Sequence, residues 1–133
     1  MRPETRPEAL LLPTPSGVCC KTGGFYIDPT RAVDKALITH GHSDHARAGH
    51  GKVLATQETL DIMRLRYGDD FAGSVQAIGY GETVTLNGVS ATFHPAGHVL
   101  GSAQIAVERK GCRIVASGDY KNVPDPTCAP LGL

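Results

Sequence analysis

Short apolar runs separated by turn residues recur along the chain and predict a structure made mostly of β-strands. The runs are three to five residues long, and several end at Gly, Asn or Asp, which is typical of strands joined by tight turns. The predicted strands span residues 18–21, 25–27, 36–39, 53–55, 75–78, 83–86, 89–93, 103–107 and 113–117. The turns at residues 13–17, 22–24 and 79–82 connect them, and Asn87 with Gly88 predicts the clearest hairpin.

One segment departs from this pattern and predicts a helix. Thr56 is a good N-cap residue, and the apolar side chains of Leu60, Met63 and Tyr67 recur at the spacing of one helical face. Gly68 follows directly and is a common helix terminator. We therefore expect a helix from Thr56 to about Tyr67.

Residues with metal-binding side chains follow the apolar run 36–39 at once. His40, His42, Asp44 and His45 place three imidazoles and one carboxylate within six residues. Because the cluster comes directly after a predicted strand, we expect it on a loop that a rigid sheet holds in position. Imidazole with carboxylate favours zinc, leaves manganese or iron open, and makes calcium a poor fit. His50 lies outside the cluster, and we expect it at the surface or in a supporting position.

Two later side chains are further candidates for the same site. His98 lies between Gly97 and Gly101, and an imidazole on such a tight loop can complete a three-histidine site. Asp119 follows the predicted strand 113–117, where one aspartate can bridge two ions. The sequence contains neither a Ser/His/Asp or Cys/His nucleophile arrangement nor a glycine-rich phosphate loop.

Composition and charge exclude few classes of protein. The chain has 133 residues with 13 basic and 13 acidic side chains, and its pI near 7.0 gives no overall attraction to nucleic acid or membrane. No apolar run is long enough for a membrane span, and residues 1–9, which we expect to be loose, lack the apolar core of a signal peptide. These features predict a cytoplasmic protein with four reduced cysteines. They leave its oligomeric state open.

The spacing His40-x-His42-x-Asp44-His45 resembles the signature of the metallo-β-lactamase superfamily. The resemblance implies an α/β (α+β) fold, an αββα sandwich with two metal ions at its edge. It implies that His40, His42 and His98 hold the first ion and that Asp44 and His45 hold the second. Asp119 would lie between the ions, and Asp44 and Asp119 would be the catalytic carboxylates. Asp28 matches an aspartate that supports the histidine loop, although an ordinary Asp-Pro turn is the alternative.

The segment around His98 resembles one branch of this superfamily more than the others. Its sequence Gly-His-Val-Leu-Gly, at residues 97–101, is similar to the β-CASP nucleases, and the matches extend over residues 10 to 130. They are similar to the bacterial DNA ligase-associated exonucleases, also described as RNA 3′-end processing factor-like. This implies a metal-dependent phosphodiesterase that acts on DNA or RNA ends through a metal-bound hydroxide, with two Zn²⁺ or Mn²⁺ ions. A DNA ligase partner is implied by the family name alone.

Length separates the chain from that family, whose members are more than twice as long. We therefore expect residues 10–133 to be a partial domain, the N-terminal half of the sandwich. Two alternatives stay open. The same hydroxide serves thioester or lactam hydrolysis in other branches, and a half-length chain could bind metal without catalysis.

Overall fold

The computed structural model describes residues 10–42, 45–96, 103–109, 111–117 and 127–128. The described strands are β1 (Leu12–Thr14), β2 (Gly17–Cys20), β3 (Phe25–Ile27), β4 (Lys35–Leu37), β5 (His50–Ala55), β6 (Ala72–Ala77), β7 (Thr83–Leu86), β8 (Val89–Pro95), β9 (Ala103–Arg109), β10 (Cys112–Ser117) and β11 (Thr127–Cys128). Helix α1 (Gln57–Tyr67) lies between β5 and β6. Within these ranges, no helix is both long and apolar enough to cross a membrane.

The strands form two sheets. The first has the order β1-β2-β3-β4-β5-β6, in which β1 to β3 are antiparallel and β3 to β6 are parallel. The second has the order β11-β10-β9-β8-β7 and is antiparallel throughout. The hairpins predicted around residues 22–24 and at Asn87-Gly88 are confirmed. The turn predicted at residues 13–17 is wrong in part, because its first two residues continue β1 and pair with β2.

Two apolar layers hold these elements together. The larger layer lies between the sheets and contains Phe25, Leu37 and Leu54 from the first sheet with Phe93 and Ile105 from the second. Side chains on the opposite face of the first sheet pack against α1. The main members of this second layer are Ile38, Val53, Ala55, Leu60, Met63 and Phe71. The described part is thus a helix, a sheet and a second sheet in three layers, which confirms the predicted α+β fold of mostly strands with one helix.

Helix α1 begins and ends as its sequence predicts. Thr56 caps it, with its hydroxyl oxygen accepting a hydrogen bond from the Thr59 N–H, and the Gly68 N–H closes the last turn on the Arg64 carbonyl. Met63 is fully buried against the first sheet, as the apolar spacing predicts. Tyr67, which the same spacing predicts on the inward face, is instead exposed, and its hydroxyl group donates to the Ala46 carbonyl.

The prediction of a surface or supporting position for His50 is wrong. His50 is the first residue of β5, and it is only 1% exposed. The imidazole Nδ1 accepts a hydrogen bond of 3.2 Å from the Val33 N–H, so His50 ties β5 to the segment before β4.

The prediction of four reduced cysteines is also wrong in part. Cys19 and Cys20 are free and buried, as expected for structural thiols. Cys112, however, is disulfide-bonded. No local sequence pattern predicts this bond. The backbone of β11 pairs antiparallel with β10 and places residue 128 at the register position opposite Cys112.

Candidate metal centre

The histidine cluster lies at the edge of the first sheet where the parallel strands end. β3 and β4 run side by side, so the residues that follow them, Asp28 and residues 39–45, emerge at the same edge. The Asp28 N–H donates to the Leu37 carbonyl at 3.0 Å and continues the pairing past the end of β3. The sheet therefore brings together two segments that are more than ten residues apart in sequence.

Three imidazole rings gather at this edge. The ring of His40 lies 4.7 Å from that of His42 and 4.3 Å from that of His45, measured between centroids. His40 is buried, His45 is partly buried, and His42 is exposed. The N–H groups of His45 and Ala46 both donate to the His42 carbonyl, and the His45 ring lies close to that of His40.

The Asp28 carboxylate connects the loop to the sheet. One oxygen accepts the Thr39 N–H at 2.8 Å, and the other accepts the Thr39 hydroxyl at 2.6 Å and contacts Nδ1 of His45 at 2.9 Å. Asp28 adopts a positive φ of 48°, a conformation that aspartate and asparagine tolerate better than most residues. This geometry favours a supporting role over a simple Asp-Pro turn, because three hydrogen bonds converge on one carboxylate.

The same network assigns protons to the two inner histidines. The Thr39 hydroxyl donates its only proton to Asp28, so it accepts from Nδ1 of His40 at 2.9 Å. His45 likewise donates from Nδ1 to Asp28. With Nδ1 protonated in both rings, Nε2 carries the lone pair that a metal ion requires, and an outer carboxylate that fixes this tautomer is the usual support of a zinc-binding histidine.

The donor set of these residues fits a metal ion. Among the described residues, Asp28, His40 and His45 form one group whose potential ligand atoms lie within 4.8 Å of one another. Because the Asp28 oxygens already accept hydrogen bonds from Thr39 and His45, this carboxylate is better suited to orient the ligands than to bind the ion itself.

The structure brings together some of the predicted site residues and does not describe others. His40, His42, His45 and Asp28 lie within one cluster. Asp44, His98 and Asp119 lie outside the described residues, so their roles stay predictions. The contacts of Thr39 are not predicted by the sequence pattern, which indicates only that this residue ends a strand. One feature of the sequence could have indicated a contact of Thr39 with the cluster, namely that its hydroxyl side chain directly precedes the first histidine.

No family model matches the sequence, but individual proteins do. Ribonuclease TTHA0252 of Thermus thermophilus is 32% identical, with 80% of this chain and 31% of the relative covered. A probable DNA ligase of Opitutus terrae is 32% identical over 74% of this chain and 10% of its own length. Cleavage and polyadenylation specificity factor subunit 3-I of Arabidopsis thaliana is 31% identical over 74% of this chain and 18% of its own length. The chain therefore spans about a third or less of each of these relatives.

Solved structures supply the fold. A B3 metallo-β-lactamase with an active-site glutamic acid superposes with a TM-score of 0.58 at 21% identity, covering 93% of this chain and 72% of that chain. A metallo-β-lactamase with a HARLDQ motif from Cronobacter sakazakii gives 0.52 at 16% identity, with 79% and 55% covered. The three layers and these matches agree, and the chain has the fold of the metallo-β-lactamases.

Proposed function

We propose that the protein is a metal-dependent phosphodiesterase of nucleic-acid ends, or the metal-binding part of one. The observation that carries this proposal is the network in which Asp28 and Thr39 fix the tautomers of His45 and His40 at one sheet edge. His40, His42 and His98 would hold a first ion, and Asp44 and His45 a second, with Asp119 between them. A bound divalent ion would supply a water of lowered pKa and would polarise a phosphoryl oxygen.

The described residues contribute orientation to this chemistry. Asp28 holds His45 with Nδ1 protonated, and Thr39 does the same for His40, so neither ring has to choose a tautomer when an ion binds. The burial of His40 and Thr39 keeps solvent away from the inner side of the site. His42, which is exposed, faces the side from which a substrate would approach.

Described residues that follow His98 or precede Asp119 closely in the sequence support the proposed roles of these two side chains. The Ala103 N–H, five residues after His98 in the sequence, donates to the Thr39 carbonyl at 2.7 Å. Ser117 pairs with Gln104 at the same end of the second sheet, and Asp119 follows it by two residues. The start of β9 and the end of β10 therefore lie at the end of the second sheet that contacts Thr39.

Names of the relatives support a nucleic-acid substrate. They include a ribonuclease, an endoribonuclease and a probable DNA ligase. A place in RNA processing or DNA repair, a DNA ligase as partner, zinc rather than manganese, and a cytoplasmic location are finer proposals that rest on the sequence resemblance. We place zinc first because imidazoles outnumber carboxylates in the ligand set.

Cleavage of end-labelled single-stranded DNA and RNA with Zn²⁺ or Mn²⁺ tests this function. We expect metal-dependent shortening of the oligonucleotide, and we expect His40→Ala and Asp119→Ala each to reduce its rate at least about 100-fold, since each would remove a metal ligand. His94→Ala is the matched control, because it removes a histidine to which no role is assigned and should keep the wild-type rate.

Two outcomes contradict the proposal. Cleavage that persists in His40→Ala with its metal dependence intact would remove the site from the reaction. Turnover of a chromogenic lactam or a glutathione thioester without any oligonucleotide cleavage would assign the site to the other hydrolases of this fold.

A further inference from the structure

The last turn of α1 contacts the histidine loop on both sides of residues 43–44. Nη1 of Arg66 donates to the Gly41 carbonyl at 2.6 Å, and the Tyr67 hydroxyl donates to the Ala46 carbonyl at 2.8 Å. Gly41 lies between His40 and His42, and Ala46 follows His45 directly. Two neighbouring helix residues therefore hold the loop before its second histidine and after its last one.

Several features make these contacts more than incidental surface contacts. Gly41 and Ala46 are both buried, so their carbonyl groups need partners. The bond from Arg66 is charge-assisted, which makes it stronger than a neutral hydrogen bond. The guanidinium group also lies 5.7 Å from the centre of the Tyr67 ring, so each side chain restricts the other.

Helix and loop also fit each other sterically at Gly41. A Cβ atom at this position would lie 2.9 Å from Cγ2 of Ile62, one turn before Arg66, so any side chain here would have to displace Ile62 or the loop. The loop backbone can approach α1 closely because residue 41 is glycine. The approach brings the Gly41 carbonyl within reach of Arg66.

We propose that Arg66 and Tyr67 are positioning residues of the metal centre, acting as a clamp that holds the histidine loop in its ligating conformation. This inference rests on the metal centre proposed above. Neither residue touches the substrate or the metal ion in this proposal. They act through the backbone of Gly41 and Ala46, so that the loop keeps His42 and His45 near His40 before an ion arrives.

Cobalt substitution of the protein tests the clamp without any assay of catalysis. We expect Arg66→Ala and Tyr67→Phe each to release Co²⁺ to a chelator about tenfold faster than wild type, as when other outer partners of metal ligands are lost. Their visible Co²⁺ spectra should also shift. Arg66→Lys should release Co²⁺ more slowly than Arg66→Ala does, because an ammonium group can still donate to the Gly41 carbonyl.

Arg64→Ala is the matched control. It removes the same charge from the same helix end, but Arg64 pairs with Asp61 and Asp69 rather than with the loop. Denaturant unfolding of the metal-free proteins should show similar stability losses for Arg64→Ala and Arg66→Ala. If the two also release Co²⁺ at the same rate, and Tyr67→Phe releases it at the wild-type rate, the clamp is refuted.

A second measurement does not need metal at all. The amide protons of His45 and Ala46 are bonded to the His42 carbonyl, so their hydrogen exchange reports the closure of the loop. Faster exchange in Arg66→Ala and Tyr67→Phe, but not in Arg64→Ala, supports the clamp. Unchanged exchange overturns it. Failure of oligonucleotide cleavage with altered Co²⁺ release and exchange would refute the proposed function and leave the clamp standing.

Discussion

Asp28 is the residue on which the geometry of the candidate centre depends most. We expect Asp28→Asn to weaken zinc binding about 10–100-fold, because an amide cannot accept hydrogen bonds at both of its terminal atoms and brings no negative charge to His45. Asparagine tolerates the positive φ of this position, so the loss should not come from backbone strain. Competition with a chromogenic zinc chelator measures the affinity.

Asp34→Asn is the control for this prediction. It also removes one carboxylate, from an exposed residue that precedes β4, and should leave the affinity for zinc unchanged. Equal zinc affinities of wild type and Asp28→Asn would show that Asp28 belongs only to a turn, which was the alternative that the sequence left open.

His50 predicts how stability depends on pH. Burial lowers the pKa of His50 below its ordinary value of about 6.5. Its Nδ1 accepts the Val33 N–H, and its Nε2 has no hydrogen-bond partner among the described residues, so the fold contains the neutral ring. The unfolded chain therefore binds a proton at His50 more readily than the folded chain does, and protonation favours unfolding.

The sign of the pH effect follows from that difference. The contribution of His50 to stability is fully present above about pH 6.5 and falls as pH drops from there to the lowered pKa of the folded state, by at most about 1.4 kcal/mol per pH unit. Urea unfolding of the metal-free protein between pH 8 and pH 5 measures it. His50→Asn, whose side-chain oxygen can accept the Val33 N–H, should be less stable at pH 8 and show a smaller loss toward pH 5. If the stability of His50→Asn fell toward pH 5 as steeply as that of wild type, the pH effect would not come from His50. His94→Asn is the control for the loss of a histidine elsewhere.

The sequence predicted the positions of some of these residues and not of others. The cluster at His40, His42 and His45 was predictable because its spacing is dense and follows an apolar run. The burial of His50 was not predictable, because glycines on both sides of it interrupt the alternating apolar pattern that would indicate the start of β5. Thr39 was not predictable either, since its role depends on a carboxylate that the chain supplies eleven residues earlier.

Among the elements, the contact of α1 with the histidine loop requires a glycine. We expect Gly41→Ala to displace the loop from Ile62 and to weaken zinc binding, with a stability loss of about 1–3 kcal/mol as in other overpacked sites. Ile62→Ala should restore much of the zinc affinity in the double variant, because it removes the side chain that the new methyl group would meet. Zinc affinities of the two single variants and the double variant form the test. If Gly41→Ala weakened zinc binding equally in the presence and absence of Ile62→Ala, contact with the Ile62 side chain would not be the cause.

Elements with a strong local signal were predicted well. Helix α1 has a capping threonine, a consistent apolar face and a terminating glycine, and its described bounds agree with all three. Strand β1 was missed in part because Pro13 suggests a turn, although proline is tolerated on an edge strand such as β1. The extension of β8 to Pro95 depends on pairing with β9, a partner that no local pattern reveals.

At the scale of the whole molecule, the resemblance predicted the sandwich, and the apolar pattern by itself predicted only separate strands and one helix. Alternation along β8 marks Phe93 as buried but does not tell which sheet covers it. The contact of Phe93 and Ile105 with Leu37 and Leu54 arises from packing between strands that are far apart in sequence. The same packing sets the start of β9 against Thr39, so the core and the candidate centre depend on the same contact between the sheets.

Metal binding should therefore stabilise the whole molecule and not the loop alone. An ion that binds only the folded chain adds about 2.7 kcal/mol at a free concentration one hundred times its dissociation constant. We expect zinc to raise the midpoint of urea unfolding of both sheets together, because the loop is attached to the first sheet at Asp28 and to the second at Ala103. A chelator should reverse the shift, and His40→Ala should abolish it. If zinc protected the histidine loop from hydrogen exchange but left the midpoint unchanged, the loop would open independently of the sandwich. The contact between Ala103 and Thr39 would then not couple the site to the core.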